Sequence, residues 1–212
     1  MSSTKELLDS FEREANIANA IRIYNDLVKQ TNSTYENTKM DIDSFICTHI
    51  PLPSNGNLYL GNLRSLDNSF YKNYKFDYIV SIYDLEPSLF KEDAIHEVYP
   101  LNDSSNPEDI AKLNTVLDSI CQKIHENLYS GKNVLVHCFG GVSRSATVVI
   151  EYIARYHINC TRDTTEPTGI VRIIKDCDCI QKSIAYVKSY RKIVCPNPGF
   201  IRLLLDRHSK LN

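Results

Sequence analysis

Cys138 and Arg144 lie six positions apart around a short loop that contains two glycines, and this spacing suits them to phosphate chemistry. The surrounding segment, residues 134–147, has the sequence VLVHCFGGVSRSAT. The apolar residues before the cysteine predict a buried strand, and the residues after the loop predict a helix. In a loop of this length, successive backbone N–H groups can point inward, and the following helix adds the positive end of its dipole. The segment therefore predicts a phosphate-binding loop.

The residue types within this loop indicate how it would act on a bound phosphate. Gly140 and Gly141 allow the backbone to turn and to approach a ligand closely. Arg144 offers a planar pair of donors for two phosphate oxygens. The same positive surroundings stabilise a thiolate, so Cys138 is predicted to be a nucleophile rather than a buried cysteine in an ordinary strand–helix turn. The predicted substrate-binding residues are Phe139, Gly140, Gly141, Val142, Ser143 and Arg144.

The loop resembles the signature His-Cys-x5-Arg-Ser/Thr of the cysteine-dependent protein phosphatases, most closely their dual-specificity branch. The resemblance extends over residues 45–208, with LYLG at 58–61 similar to an early strand of the family and PNPGF at 196–200 similar to the turn before its last helix. It implies an α/β fold of the protein-tyrosine-phosphatase type, with a central mixed sheet flanked by helices. It also implies hydrolysis of phosphotyrosine and phosphoserine or phosphothreonine in proteins through a cysteinyl-phosphate intermediate, without a metal or cofactor.

The resemblance implies two further catalytic residues. A phosphorylated side chain is a poor leaving group until its oxygen is protonated, and the family uses an aspartic acid on a loop upstream of the cysteine. Asp103 occupies that place, whereas Asp109 falls in the first turn of a predicted helix, where capping explains it better. Ser145 matches the family residue whose hydroxyl assists departure of the cysteine sulfur; its alternative role is a helix cap. His137 is expected to hold Cys138 in place.

Two other functions remain open from the sequence. The same loop chemistry serves phosphatases of phosphoinositides and of RNA 5′-phosphates, but residues 139–143 contain no lysine to attract such polyanions. A catalytically weak phosphate-binding module is the second alternative, although Cys138, Arg144 and Asp103 are all present.

The remaining elements form a pattern of alternating strands and helices around the loop. Helices are predicted for residues 106–130, 143–157, 180–192 and 199–209, and strands for residues 57–62, 76–83 and 134–136, with a short strand near Val98. Residues 1–43 are expected to form a helical extension (4–30) and a polar linker, and residues 44–212 the catalytic domain. A longer connection than usual, near residues 160–178, is predicted to contain a small hairpin with a strand at 170–174.

Composition limits the setting in which the protein works. The net charge of −2 and the 42% hydrophobic residues exclude wholesale disorder and disfavour general nucleic-acid binding. Neither a targeting segment nor a membrane-spanning apolar run is recognisable, so we expect a cytoplasmic protein, for which entry into the nucleus stays open without a clear signal. We also expect a monomer whose partners are phosphorylated proteins, not nucleic acids or membranes.

The seven cysteines permit two further hypotheses. The Cys160, Cys177 and Cys179 cluster lacks the second well-spaced pair of a zinc site. A protective disulfide to Cys138 would have Cys47 or Cys121 as its partner, and the sequence does not choose between them.

Overall fold

A five-stranded mixed sheet forms the centre of the protein. The computed structural model describes residues 44–158, 161–165, 171–175 and 178–209. The sheet contains β1 (Cys47–Ile50), β2 (Asn57–Gly61), β3 (Tyr78–Ser81), β4 (Ile95–Val98) and β5 (Asn133–His137), in the spatial order β1-β2-β5-β3-β4. Only β1 pairs antiparallel, with β2, and the other neighbours are parallel. The predicted mixed α/β sheet is confirmed.

Helices cover both faces of this sheet. The helices are α1 (Asn68–Tyr74), α2 (Pro107–Tyr129), α3 (Arg144–Tyr156), α4 (Asp178–Tyr190) and α5 (Pro198–Ser209). The larger core joins one face of the sheet to α2, α3, α4 and α5, and a smaller core joins the other face to α1. All three apolar residues of the 134–136 segment are buried because β5 is the central strand, covered on both faces.

The long helix α2 begins and ends as its sequence predicts. The Asn106 side chain accepts a hydrogen bond from the Asp109 N–H at 2.7 Å, and Pro107 occupies the first turn. Its apolar stripe, with the exception of the half-buried Ile110, lies in the larger core. Gly131, with φ of 81°, allows the chain to leave the helix end.

The connection after α3 contains the predicted hairpin. Strands β6 (Thr161–Thr165) and β7 (Val171–Lys175) pair antiparallel and form a separate two-stranded sheet. Strand β1 and helix α1 were not predicted as separate elements. The N-terminal helix and linker expected at 1–43, as well as Cys160 and Cys177, lie outside the described residues. Among the helices described, none combines the length and apolar character that crossing a membrane requires.

Candidate active site

The loop from Cys138 to Ser143 lies at the carboxyl end of β5 and leads directly into α3. Parallel strands β2 and β3 flank β5, so the loop lies at the edge where several strands of the sheet end. The Cys138 side chain is 1% exposed at the base of the loop. Its sulfur accepts hydrogen bonds from the Gly141 N–H and from the Ser145 hydroxyl, each at 3.2 Å. Two hydrogen-bond donors are therefore directed at this sulfur.

The carbonyl groups of the loop are bonded outward, which leaves N–H groups directed inward. The Phe139 carbonyl accepts from the Leu63 N–H at 3.1 Å, and the Val142 carbonyl accepts from the Cys195 N–H at 2.9 Å. The Gly141 carbonyl accepts from Arg191 Nε at 2.9 Å. In a trans peptide, the N–H of the next residue points away from the carbonyl, and the described chain has no cis peptide. The amides of residues 140, 142 and 143 therefore face the interior of the loop, where they can bind an oxyanion.

Gly141 is required by its surroundings as well as by its backbone angles. Its φ is +64°, in the region where a side chain is strained. A Cβ atom at this position would lie 2.6 Å from Arg191 Nη2 and 2.6 Å from the Gly61 carbonyl oxygen. Gly140 differs, because a Cβ atom there would meet only Val142 Cγ2 at an ordinary 3.7 Å. Only the second glycine of the loop is structurally obligatory.

Arg144 lies in the first turn of α3. One nitrogen of its guanidinium bonds to the loop between β4 and α2, and another is without a partner among the described residues. Nη1 donates to the Leu101 carbonyl at 2.8 Å, which fixes the orientation of the side chain. The guanidinium carbon lies 5.3 Å from the centre of the Tyr83 ring. Nε is buried and has no hydrogen-bond partner within the described residues. This N–H and the inward amides can bind the oxygens of one tetrahedral anion.

Asp103 lies on the loop between β4 and α2 and contacts the phosphate-binding loop directly. The Ser143 hydroxyl donates to Asp103 Oδ1 at 2.7 Å, and Asn197 Nδ2 donates to the same oxygen at 2.9 Å. Asn197 also donates its backbone N–H to the Ser143 hydroxyl at 3.0 Å. The structure thus brings Cys138, Arg144, Ser145 and Asp103 into one site, although their catalytic roles stay predictions.

Asp109, the alternative candidate for the general acid, has its carboxylate bonded to Ser104. It is buried in the first turn of α2, where the Ser104 hydroxyl donates to its Oδ2 at 2.8 Å. This hydrogen bond, together with smaller contributions from its neighbours, lowers the pKa of the Asp109 carboxyl. Its contacts are those of an acidic residue in the first turn of a helix, next to the Asn106 cap.

The side chains of two predicted substrate-binding residues, Ser143 and Phe139, contact residues outside the loop. Ser143 contributes only its amide, because its hydroxyl is committed to Asp103 and Asn197. The Phe139 ring is 60% exposed and lies 5.6 Å from the Tyr83 ring, so these two aromatic side chains form a wall beside Arg144. Val142 is buried, and its backbone is fixed through Cys195.

A buried hydrogen-bonded chain supports the loop from below. His137 Nε2 lies 2.6 Å from the Ser81 hydroxyl, which in turn lies 2.7 Å from His96 Nε2. Burial disfavours the imidazolium and lowers the pKa of His137 to about 3, with a further contribution from His96. Burial likewise lowers the pKa of His96 to about 4. His137 is therefore neutral at physiological pH, which suits a residue that holds Cys138 in place rather than one that carries protons.

Several residues of this site were not predicted. The Asn197 side chain could have been found from the Asn-Pro-Gly sequence, because an asparagine before a helix is a strong N-cap, and its Oδ1 accepts from the Phe200 N–H at 3.0 Å. Ser81, His96, Tyr83 and Arg191 have no local sequence signal, since the fold brings them to the loop from distant parts of the chain.

No described cysteine is bonded to Cys138, and a protective disulfide with Cys47 or Cys121 stays a prediction. Cys47, Cys121, Cys138, Cys179 and Cys195 are all free thiols. Cys179 packs with its sulfur 3.4 Å from His208 Nδ1. Across the described part of the chain, no group of three or more metal-ligating side chains is arranged to hold a metal ion.

Comparisons with known proteins give one consistent family. The family model of the dual specificity phosphatase catalytic domain matches residues 58–172. A viral protein described as a tyrosine phosphatase, 123R of Invertebrate iridescent virus 6, is 33% identical over 156 residues, which cover 74% of this chain and 90% of that protein. Dual specificity protein phosphatase 1 of Arabidopsis thaliana is 29% identical over 150 residues, which cover 70% of this chain and 64% of that protein.

Solved structures of low sequence identity share the fold. The crystal structure of DUSP15 is similar with a TM-score of 0.59 at 24% identity, and the alignment covers 78% of this chain and 89% of that one. The phosphatase domain of Yvh1 from Chaetomium thermophilum is similar with a TM-score of 0.58 at 22% identity, and the alignment covers 78% and 99% of the two chains.

The two loop glycines provide a test of the phosphate-binding loop. We expect Gly141→Ala to lower kcat/KM for a phosphatase substrate by about 100-fold or more, since the clash displaces the amides that hold the anion. Gly140→Ala should keep an activity close to that of the unaltered protein. Steady-state kinetics with an aryl phosphate, together with circular dichroism to verify folding, would make the comparison. Equal losses in the two variants would show that the close packing of Gly141 does not matter.

Proposed function

This chain belongs to the dual specificity phosphatase family and is a protein phosphatase, and we propose that its reaction takes place at Cys138. The observation that carries this assignment is the pair of donors on the cysteine sulfur. The Gly141 N–H and the Ser145 hydroxyl both point at Sγ, at the base of a loop lined by N–H groups. Such a sulfur is suited to be a thiolate that attacks the phosphorus of a bound phosphate.

In the first step, Cys138 Sγ attacks phosphorus in line with the bond to the side-chain oxygen of the substrate. The P–S bond forms as the P–O bond breaks, and Asp103 transfers its proton to the departing oxygen. The loop amides and Arg144 bind the three equatorial oxygens and stabilise the charge that develops on them. The products are a free hydroxyl on the substrate and a cysteinyl phosphate.

In the second step, water hydrolyses the cysteinyl phosphate. Asp103, now ionised, accepts a proton from the attacking water while the P–S bond breaks. The sulfur leaves as a thiolate, and the Ser145 hydroxyl, 3.2 Å away, donates to it and stabilises its negative charge. Inorganic phosphate is released and Asp103 is protonated again. Apart from the substrate and the attacking water, residues of the chain carry out each role in this scheme.

The site suits phosphorylated protein side chains, including phosphotyrosine. The exposed Phe139 ring and the neighbouring Tyr83 ring form an aromatic surface beside Arg144 at the loop. An aromatic phosphoester can pack against this wall, whereas phosphoserine and phosphothreonine gain less from it. We further propose that the protein acts as a monomer, since one chain supplies the whole site. A reducing location such as the cytoplasm would keep Cys138 free.

Cys138→Ser should abolish turnover while leaving the binding of a phosphopeptide largely intact. A neutral serine hydroxyl is a much poorer nucleophile than a thiolate, but the amides and Arg144 remain. Phosphate release measures the first property, and isothermal titration calorimetry with a phosphotyrosine peptide measures the second. Ordinary turnover in this variant would exclude Cys138 as the nucleophile.

Asp103→Asn should lower activity most for substrates whose leaving oxygen must be protonated. We expect a loss of about 100-fold or more with phosphothreonine peptides and a much smaller loss with nitrophenyl phosphate, whose phenolate leaves readily. Asparagine retains the oxygen that accepts from Ser143, so the loop is preserved. Asp109→Asn is the matched control, and it should not change the ratio of the two activities. Equal losses on both substrates in Asp103→Asn would place the acid elsewhere.

A substrate panel tests the proposed specificity against the same chemistry on other phosphates. We expect kcat/KM to be highest for phosphotyrosine peptides, lower for phosphothreonine peptides, and lowest for phosphoinositide vesicles and 5′-phosphorylated RNA. Residues 139–143 carry no cationic side chain to attract the polyanionic substrates. Phe139→Ala should reduce the preference for phosphotyrosine. A higher kcat/KM for a phosphoinositide or for RNA would refute the assignment to protein substrates.

A further inference from the structure

A second arginine, Arg191, lies behind the phosphate-binding loop and has no part in the scheme above. It follows the last residue of α4 and is only 3% exposed. Its Nε donates to the Gly141 carbonyl at 2.9 Å. Its Nη1 donates to the Thr48 hydroxyl at 2.9 Å and to the Ser44 carbonyl at 3.2 Å. Arg191 therefore joins the loop to the first strand of the sheet.

The charge of Arg191 is not balanced by an acid. All three acceptors of its hydrogen bonds are neutral, and no carboxylate in the described part of the chain forms an ion pair with it. Its Nη2 is buried without a hydrogen-bond partner among these residues. Burial lowers the pKa of the guanidinium to about 10, so the group still carries its charge at neutral pH. A buried cation without a counterion is costly, and such a group points to an anion nearby.

The thiols of Cys47 and Cys138 are the groups near this guanidinium whose ionised form would stabilise its charge. Cys47 cannot supply the anion, because burial raises the pKa of its thiol to about 12 and keeps it neutral. Cys138 is joined to Arg191 through Gly141. The N–H of Gly141 donates to the sulfur, and its carbonyl accepts from the arginine.

The groups packed around Cys138 leave few other sources of positive charge. Described contacts link six titratable or charged side chains to the loop or to its support: His137 on β5, His96 on β4, Asp103 on the loop between β4 and α2, Arg144 on α3, Arg191 after α4, and Cys47 on β1. Both histidines are neutral, since burial lowers their pKa values well below physiological pH. Asp103 carries no positive charge, so the two arginines are the only cations among these six described groups.

We propose that Arg191 is a positioning residue whose buried guanidinium is the counterion of the Cys138 thiolate, held on the closed side of the loop. This inference rests on the proposed function, in which Cys138 is the nucleophile. Arg144 faces the substrate and is shared with the phosphate oxygens during the reaction. Arg191 never contacts the substrate, so it stabilises the thiolate both before the attack and when the sulfur leaves. An arginine suits this place because a fully buried lysine readily loses its proton.

The proposal is tested by the pH at which Cys138 becomes reactive. Alkylation by iodoacetamide would be followed on the Cys138 peptide by mass spectrometry between pH 4 and 10. Arg191→Gln keeps an N–H donor but removes the charge, and it should raise the midpoint of the reactivity curve by about one pH unit. Thr48→Asn is the matched control, because it alters the tether of Arg191 and keeps its charge. This variant should leave the midpoint unchanged. An unchanged midpoint in Arg191→Gln would overturn the proposal.

A second pair of variants decides the question if Arg191→Gln does not fold. Thr48→Asp gives the guanidinium a carboxylate partner while its bond to the Gly141 carbonyl remains. Relative to the nearly isosteric Thr48→Asn, this variant should raise the midpoint for Cys138 and move the acid limb of kcat/KM in the same direction. Identical curves for the two variants would overturn the proposal. Alkylation needs no turnover, so this result is independent of the Cys138→Ser test of the proposed function.

Discussion

The architecture of this protein depends on one close packing, that of Gly141 between the Gly61 carbonyl and the Arg191 guanidinium. A single Cβ atom at residue 141 would lie 2.6 Å from both groups. This contact fixes the loop against β2 on one side and against the end of α4 on the other. As a result, the carbonyls of the loop point outward and its amides point inward, and the amide of Gly141 itself reaches the cysteine sulfur. The anion-binding geometry is thus a consequence of backbone packing.

One asparagine, Asn197, joins the loop that carries Asp103 and helix α5 to this arrangement. Asn197 caps α5 with its side-chain oxygen and holds Asp103 with its side-chain nitrogen. Its backbone N–H also fixes the Ser143 hydroxyl, which donates to the same carboxylate. Each of these groups is satisfied only when the loop, the acid and the helix are in place together. A buried polar network of this kind is stable because all its members have partners, and it aligns the residues proposed to transfer the proton.

Charge is distributed over the site in a way that the net charge of −2 does not reveal. The two histidines beneath the loop are neutral, and the cations are the two arginines. Arg144 lies at the open side and retains a donor without a partner in the described residues, while Arg191 is fully enclosed. The helix end of α3 and the inward amides add partial positive charge. The positive charge of the site is therefore concentrated at one loop, although the net charge of the whole chain is only −2.

The sequence by itself determined the elements whose signals are local. The strand before Cys138, the helix after it, the Asn106 cap of α2 and the spacing of Cys138, Gly141 and Arg144 depend on neighbours within a few residues. All of them could be predicted. The site residues Asp103 and Ser145 were also predicted, but only because the loop resembles that of a known family. Strand β1, Cys47–Ile50, was missed because Thr48 and His49 interrupt its apolar residues, whereas the equally short β3 is predominantly apolar.

The tertiary structure alone decided which distant residues complete the site. Ser81 and His96 reach His137 because β3 lies between β4 and β5 in the sheet, an order that no local pattern specifies. Arg191 and Thr48 are 143 positions apart, yet they share a hydrogen bond beside the loop. A buried charge or hydroxyl is acceptable only where the folded chain provides its partner, and that partner is set by packing between elements rather than by spacing along the sequence.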